Sequence, residues 1–145
     1  MRRFVLDTNI LLAYVRENPV FNMAEKMCQL TAPDASLLVS VVTLAELRVL
    51  AQANHWGEKK QKQLANFLSS LILIDISSTD EYLLEAYTNI DCYSRAPESG
   101  SARTMGKNDI WIAATAAVTN ATLVTTDVDF DHLSGQMLKV VKIPV

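Results

Sequence analysis

The sequence predicts an α/β fold, in which a mainly parallel central sheet of about four to five strands is flanked by helices. Short apolar, β-branched runs alternate with stretches whose apolar residues have helical spacing, and this alternation is typical of parallel sheets. The 145 residues are 50% apolar and include only four glycines and four prolines, which favours a well-buried core over a many-turned β architecture. Because the composition is even and no repeat occurs, a single domain over residues 1–145 is expected.

The first half of the chain divides into two strands and four helices. An apolar run forms the first strand, and the helix after it stops at Asn18 and Pro19 because proline cannot continue a helix. The second strand is continuously apolar, as expected of a strand covered on both faces, and Gly57 ends the helix that follows. The predicted elements are a strand at 3–6, helices at 8–16 and 21–30, a strand at 37–42, and helices at 43–56 and 58–71.

The second half contains three further strands and the helices between them. One helix begins with Ser78 and Glu81, a spacing that is typical of a capping box. The segment 97–107 is the most loop-like part of the chain, because it combines glycines with several hydroxyl residues. The predicted elements are a strand at 72–76, a helix at 78–93, a helix that begins near Asp109, a strand at 122–125, a short helix at 127–133 and a closing strand at 139–143.

The composition argues against several classes of protein. No apolar run is long and uncharged enough to cross a bilayer, and Asp7 and Asn9 interrupt what would be a signal sequence, so a cytoplasmic, non-membrane protein is expected. Cys28 and Cys92 are single and far apart, which indicates two reduced structural thiols and not a zinc site. The net charge of −3 does not indicate a nucleic-acid binder, although bound divalent cations would reverse its sign.

The most informative segment is 108–116, which reads Asn-Asp-Ile-Trp-Ile-Ala-Ala-Thr-Ala. It predicts a helix made almost entirely of small and apolar residues, and such a helix is buried on most sides. Asp109 lies in the first turn, where an unpaired carboxylate in an apolar setting is costly. A metal ion that draws several acids to one point would explain this placement.

Three further acids are predicted to lie at the same edge of the sheet. Asp7 ends the first strand, Glu46 lies one turn past the second, and Asp127 follows the fourth. Because parallel α/β sheets bind ligands outside the carboxyl ends of their strands, these acids and Asp109 are candidates for one site. Carboxylate oxygens are the ligands that Mg²⁺ and Mn²⁺ prefer, and two cations about 3.5–4 Å apart can hold both oxygens of a phosphodiester displacement.

Each acid also has a structural interpretation of its own. Asp7 could cap the helix that follows it, and Asp127 could cap the last short helix. Glu46 could be the partner of Thr43 in a capping box. Asp109 could be a first-turn acid favoured by the helix dipole, by about 0.3–1 kcal/mol. Because gathered acids would repel one another without metal, their shared position at one edge favours the metal site over four separate explanations.

Four segments, in this order and at these intervals, resemble the PIN domain family over essentially the whole chain. They are Phe-Val-Leu-Asp-Thr-Asn at 4–9, Thr-Leu-Ala-Glu-Leu at 43–47, the run at 108–116, and Leu-Val-Thr-Thr-Asp-Val-Asp-Phe at 123–130. The resemblance places the catalytic, metal-binding acids of the family at Asp7, Glu46, Asp109 and Asp127. It places the polar residue after the first acid at Asn9, and it puts Asp129 in the outer layer of the site.

The family resemblance implies a PIN-like fold and an endoribonuclease that hydrolyses RNA with one or two Mg²⁺ or Mn²⁺ ions. Water activated by the metal would attack the phosphorus, and Thr8, Asn9 and Thr126 could orient the ligands from the outer layer. The small size resembles the VapC toxins of VapBC toxin–antitoxin pairs. Such toxins usually form homodimers and are silenced by a cognate antitoxin, so RNA, an antitoxin and a second copy of the chain are the implied partners.

Three basic residues, Arg95, Arg103 and Lys107, lie in or beside the loop that leads into Asp109. They predict either a lip that guides RNA phosphates or an ordinary solvated loop. The sequence leaves these two interpretations open.

Several other features are interpreted as structural. Trp56 and Trp111 are predicted to pack in the core, and His132 is predicted to lie at the surface. The first two helices carry more apolar residues than a thin core layer needs, and this surplus could form a dimer seam or an antitoxin groove. The residues concerned are Leu11, Leu12, Tyr14, Val15, Phe21, Met23, Met27 and Leu30.

Three other functions compete with the toxin hypothesis. An aspartyl phosphatase could use Asp7 as its nucleophile, but the haloacid-dehalogenase pattern requires a second aspartate where Asn9 stands. A PIN-like scaffold that binds RNA or protein without cutting usually lacks one or more of the acids, whereas this chain keeps all four. A housekeeping PIN nuclease would share the site and the chemistry but would not be a toxin.

Overall fold

An all-parallel, five-stranded sheet forms the centre of the computed structural model, which describes residues 1–100 and 102–145. The strands are β1 (Arg2–Leu6), β2 (Ala35–Ser40), β3 (Ile72–Ile74), β4 (Thr122–Thr125) and β5 (Lys139–Lys142). They lie in the order β3-β2-β1-β4-β5, so the first strand is central. The predicted α/β class with a mainly parallel sheet is therefore confirmed.

Helices flank the sheet in the part of the chain that the structure describes. They are α1 (Thr8–Val15), α2 (Pro19–Cys28), α3 (Val41–Ala53), α4 (Glu58–Leu68), α5 (Glu81–Arg95) and α6 (Lys107–Val118). Two short 3₁₀ helices, Pro97–Ser99 and Val128–Leu133, lie in the second half. The predicted order of strands and helices is confirmed, and the predicted loop at 97–107 contains the first of the 3₁₀ helices.

The central strands send alternate side chains to two apolar cores. On one face of the sheet, Val5 and Leu123 pack with residues of α5 and α6. On the other face, Leu6 and Val124 pack with residues of α1 to α4. These four side chains are 0% exposed. Burial on both faces explains why the strands are continuous apolar runs and do not alternate with polar residues.

Helix α6 lies almost wholly inside the first of these cores. Ile110 and residues 112–116 are buried. Trp111 packs on Tyr87, with ring centroids 4.3 Å apart, and Trp56 is only 7% exposed. The predictions of a buried helix and of two packing tryptophans are confirmed.

The boundary between β2 and α3 differs from the prediction. The predicted strand at 37–42 ends at Ser40, and Val41 and Val42 already belong to the helix. The Ser40 side chain accepts a hydrogen bond from Val42 N at 3.1 Å and thereby caps α3. The cap outweighs the β preference of the two valines, which local propensity alone would place in the strand.

The predicted capping box of Ser78 and Glu81 is wrong. Helix α5 begins at Glu81, and its cap is Asp80, whose Oδ1 accepts a hydrogen bond from Leu83 N at 3.0 Å. A carboxylate is a strong cap, and it lies directly before the helix, whereas Ser78 lies two positions too early.

The apolar surplus of the first two helices belongs mostly to the core. Leu11, Val15 and Leu30 are at most 2% exposed, whereas Met23 and Met27 are 40% and 49% exposed. The two methionines are therefore the accessible part of the predicted seam or groove.

The prediction that His132 is a surface residue is wrong. Its Nε2 lies 2.7 Å from Ser94 Oγ, and its Nδ1 is buried. Burial lowers the pKa of His132 below its usual value, so the ring is neutral near pH 7. The histidine therefore ties the 3₁₀ helix Val128–Leu133 to α5 by a partly buried hydrogen bond.

Over residues 1–100 and 102–145, the helices are too short or too polar to span a membrane. Cys28 is buried and Cys92 is exposed, and both are free thiols. Cys28 is a structural residue of the core, as predicted, whereas the prediction that Cys92 is structural is wrong because its side chain is exposed.

Candidate metal centre

The candidate site lies at the carboxyl edge of the sheet, beside the central strand. The chain passes from β1 outward through β2 and β3, and then returns to the other side of β1 at β4. Such a reversal opens a crevice at the carboxyl ends of β1 and β4, where α/β sheets bind ligands. Asp7 directly follows β1, and Asp127 follows β4 and caps the 3₁₀ helix Val128–Leu133.

Asp7 is held rigidly in this crevice. Its Oδ1 accepts a hydrogen bond from Thr8 N at 2.7 Å, and its Oδ2 accepts one from Thr125 Oγ1 at 2.6 Å. The residue is only 4% exposed. Since Asp7 is also the N-cap residue of α1, the structural interpretation of this acid holds alongside the functional one.

Glu46 reaches the site from α3 and is linked to Asp7 through one threonine. Its Oε1 accepts a hydrogen bond from Thr8 Oγ1 at 2.6 Å, while the backbone of the same threonine donates to Asp7. The alternative in which Glu46 closes a capping box with Thr43 is wrong, because α3 begins at Val41 and Thr43 is buried within it. Glu46 has therefore no capping role that would account for its position.

Asp109, Asp127 and Asp129 place carboxylate oxygens within 4.8 Å of one another. Asp129 N donates to Asp127 Oδ1 at 2.9 Å, and this turn of the 3₁₀ helix brings the two side chains together. Asp129 was predicted for the outer layer, whereas the structure places its carboxylate beside those of Asp109 and Asp127. The five residues Asp7, Glu46, Asp109, Asp127 and Asp129 are called the site acids below.

Burial and mutual repulsion raise the pKa of two site acids. The pKa of Asp109 rises from 3.8 to about 7, mainly because burial disfavours its charged form, and further because the other four site acids repel it. The pKa of Asp7 rises from 3.8 to about 6, again mainly through burial, although its two hydrogen bonds act in the opposite direction. Asp109 thus interacts with all four other site acids, and Asp7 with at least Glu46 and Asp127, a proximity that the sequence indicated only through strand and helix positions.

The donor set fits a hard divalent cation. All five site acids offer oxygen, and three of them already approach one another within the span of a single coordination shell. A cation would offset the repulsion that raises the pKa of Asp109. Asp109, Asp127 and Asp129 could hold one ion, and Asp7 and Glu46 stand beside them as further ligands.

Of the predicted outer-layer residues, Thr8 and Asn9 have clear contacts. Asn9 Oδ1 accepts a hydrogen bond from Thr126 N at 3.4 Å, so Thr126 takes part through its backbone. The hydroxyl that sequence reasoning missed belongs to Thr125, which donates to Asp7 and accepts from Asp127 N at 3.0 Å. The register that pairs Leu6 with Val124 makes this contact possible, and a correct strand pairing would have revealed it.

The three predicted lip residues have different surroundings. Arg103 Nη1 lies 3.6 Å from Asp129 Oδ1, whereas Arg95 Nε is bonded to Asp91 Oδ1 on its own helix at 3.0 Å. Lys107 is exposed as the first residue of α6. Arg103 is therefore the lip residue that contacts a site acid in the described part of the chain.

The raised pKa values of Asp7 and Asp109 predict how stability depends on pH in the metal-free protein. Both acids keep their protons to higher pH in the folded protein than in the unfolded chain. Their effect on the free energy of unfolding is therefore most favourable below about pH 4, and this advantage is lost as the pH rises towards 7. Thermal melts in chelator should show a melting temperature that falls by about 5 °C between pH 5 and pH 8. Saturating Mn²⁺ should weaken or reverse this trend; a metal-free protein that becomes more stable over the same range would contradict it.

The chain is similar to known proteins in both sequence and structure. The family model described as the PIN domain matches residues 4–136. Over 140 residues the chain is 31% identical to Ribonuclease VapC2 of Rickettsia felis, and this alignment covers 94% of this chain and 96% of that protein.

Two solved structures are also similar. VapBC2 of Rickettsia felis, bound to a DNA fragment from its promoter, has a TM-score of 0.78 and 27% identity over 97% of this chain and 98% of that one. VapBC-1 of nontypeable Haemophilus influenzae has a TM-score of 0.73 and 27% identity over 97% of each chain.

Proposed function

The chain belongs to the PIN domain family, and from this premise we propose that it is a divalent-metal-dependent endoribonuclease, the toxin of a VapBC-type pair. The observation that carries the proposal is the meeting of Asp109, Asp127 and Asp129 within 4.8 Å at the carboxyl edge of a parallel sheet. Their convergence, with Asp7 and Glu46 alongside, is costly for a fold that binds no cation. We treat residues 1–145 as one nuclease domain, since the sheet runs from Arg2 to Lys142.

Asp7, Glu46, Asp109 and Asp127 are proposed to hold one or two Mg²⁺ or Mn²⁺ ions, with Asp129 as a further oxygen ligand. Such an ion supplies a Lewis acid that activates water and offsets negative charge on the phosphodiester. The hydroxyl groups of Thr8 and Thr125 donate to the carboxylates of Glu46 and Asp7, and Thr125 also accepts from the backbone N of Asp127, so the site is organised before the cation arrives. Burial of Asp7 keeps water away from one side of the site and strengthens its electrostatic interactions.

The names of the relatives support the toxin assignment. The relative in Rickettsia felis is named as a ribonuclease of the VapC type, and the two similar structures are VapBC assemblies. A cognate antitoxin, a second copy of the chain and RNA are accordingly the proposed partners. We propose that the activity is cytoplasmic, where a toxin would meet cellular RNA.

The competing functions fit the site less well. An aspartyl phosphatase needs an exposed nucleophile, whereas both oxygens of Asp7 accept hydrogen bonds and the residue is 4% exposed. A silent scaffold has no need of five acids that repel one another. A housekeeping nuclease would share the site and the chemistry, so growth separates the two: induced expression of a toxin should arrest growth, and co-expression of its cognate antitoxin should restore it.

Metal removal is the direct test of the proposed chemistry. Purified protein should cleave single-stranded RNA in Mg²⁺ or Mn²⁺, stop when chelator is added, and recover when the cation is restored, because the site acids cannot activate water alone. Cleavage is read as fragments on a denaturing gel. The Asp75→Asn protein is a matched control, since Asp75 is an exposed acid just past β3. Cleavage that continues in chelator would refute the proposal.

A further inference from the structure

We propose that Arg103 is an internal counter-ion of the metal centre: it pairs with Asp129 in the metal-free protein and turns to an RNA phosphate when a cation takes Asp129. This inference rests on the proposed function, because it assumes that the site acids hold a cation and that the substrate is RNA. It assigns Arg103 a role in coupling metal binding to substrate binding.

The pairing is visible in the contacts around Asp129. Arg103 Nη1 lies 3.6 Å from Asp129 Oδ1, and the same carboxyl group lies within 4.8 Å of Asp109 and Asp127 oxygens. Arg103 and a cation held by these three acids would therefore compete for the carboxylate of Asp129. Since both side chains are partly exposed, at 40% and 54%, the pair is weak enough to exchange.

The backbone around Arg103 is anchored, so the guanidinium can change partner without leaving the site. Arg103 N donates to Ser94 O at 2.7 Å, which attaches the segment to the end of α5. Two residues later, Met105 is buried at 5% exposure and accepts a contact from Ser94 Oγ at 3.2 Å. The partly exposed side chain of Arg103 can therefore change partner while its backbone stays in place.

The charge balance gives the exchange a direction. In the metal-free protein, the guanidinium offsets part of the repulsion among the five site acids. A bound cation offsets this repulsion more strongly, and Asp129 then no longer attracts the guanidinium of Arg103. A guanidinium fork matches the geometry of a phosphate and binds it with two hydrogen bonds, so RNA is the natural second partner.

The test separates metal binding from RNA binding. Mn²⁺ affinity is measured by calorimetry without RNA, and RNA affinity by fluorescence anisotropy with a short 2′-O-methyl phosphorothioate oligonucleotide that resists cleavage. Arg103→Ala should bind Mn²⁺ about two- to fivefold more tightly, because a competing ion pair is removed. In saturating Mn²⁺ the same variant should bind the oligonucleotide more weakly, with a salt slope lower by about 0.7. In chelator its RNA affinity should hardly change.

Two controls distinguish exchange from simple repulsion between Arg103 and the cation. In an Asp129→Asn background, Arg103→Ala should no longer tighten Mn²⁺ binding, whereas simple repulsion would leave the effect unchanged. Arg95→Ala, whose guanidinium is bonded to Asp91, should leave Mn²⁺ affinity unaltered. Arg103→Lys keeps the charge and should restore most of the wild-type Mn²⁺ affinity but less of the RNA affinity.

The outcomes also separate this inference from the proposed function. If the wild-type protein binds no Mn²⁺, or binds it equally well after Asp127→Asn, the metal centre itself is wrong. If the wild type binds Mn²⁺ through Asp127, but Arg103→Ala changes neither affinity or acts equally in the Asp129→Asn background, only the role of Arg103 is overturned. Thermal melts confirm that each variant is folded.

Discussion

Replacing Asp109 with asparagine is expected to abolish RNA cleavage and, at the same time, to stabilise the metal-free protein. Asp109 lies in the first turn of a helix buried in the core, and its pKa of about 7 reflects a carboxylate disfavoured first by burial and then by the other site acids. Asparagine has nearly the same shape without the charge. We expect cleavage to fall about a thousandfold or more. The metal-free stability should rise by about 1 kcal/mol at pH 8, a modest gain because the side chain is only half-buried and solvent screens it.

Cleavage assays and paired thermal melts, with chelator and with Mn²⁺, measure both parts of this prediction. The variant should melt a few degrees higher than the wild type in chelator, and it should lose most of the stabilisation that Mn²⁺ gives. Asp75→Asn should change neither property. If Asp109 were only a first-turn acid favoured by the helix dipole, its removal would slightly destabilise the fold and leave cleavage intact; that result would contradict the metal centre.

Replacing Thr125 with valine should weaken metal binding although the residue itself is not a proposed ligand. The hydroxyl group is completely buried, donates to Asp7 Oδ2 and accepts from Asp127 N. Valine keeps the volume but leaves a buried carboxylate oxygen and a backbone N–H without that partner, at a cost of about 1–3 kcal/mol. It also removes the group that orients Asp7, so Mn²⁺ affinity should fall about 10- to 100-fold.

Calorimetry with Mn²⁺ and thermal melts in chelator test the Thr125→Val prediction. Thr125→Ser keeps the hydroxyl group and should retain most of the affinity. Thr122→Val, at the other end of β4, should lower stability little and leave metal binding unchanged. Wild-type Mn²⁺ affinity in a folded Thr125→Val protein would show that the hydroxyl group has no part in organising the acids.

The architecture could be read from the sequence because the relevant signals are local. Apolar runs, Asn18 with Pro19, and Gly57 mark the elements, and the alternation of strands and helices implies a parallel sheet. A parallel sheet in turn places residues that follow its strands at one edge, so Asp7 and Asp127 could be assigned to a common site before any distance was known. Glu46, one turn past the second strand, and Asp109 were candidates for the same site, and the resemblance to the family gave all four acids their roles.

What the sequence did not predict depends on register and on the geometry of single turns. The bond from Thr125 to Asp7 requires β1 and β4 to pair with Leu6 opposite Val124, and no local pattern specifies that pairing. Asp129 joins the acids because a 3₁₀ turn, not an α-helical one, follows Asp127. Several residues before α5 could cap it, and only the backbone conformation selects Asp80 over Ser78.

Anomalous X-ray diffraction from crystals grown with Mn²⁺ would test the shared cation most directly. The account predicts a strong anomalous peak at the carboxyl edge of the sheet, bonded to carboxylate oxygens of Asp109 and Asp127 and flanked by the remaining site acids. A well-ordered crystal in which these carboxylates hold no Mn²⁺, or in which Mn²⁺ binds only elsewhere on the molecule, would contradict it.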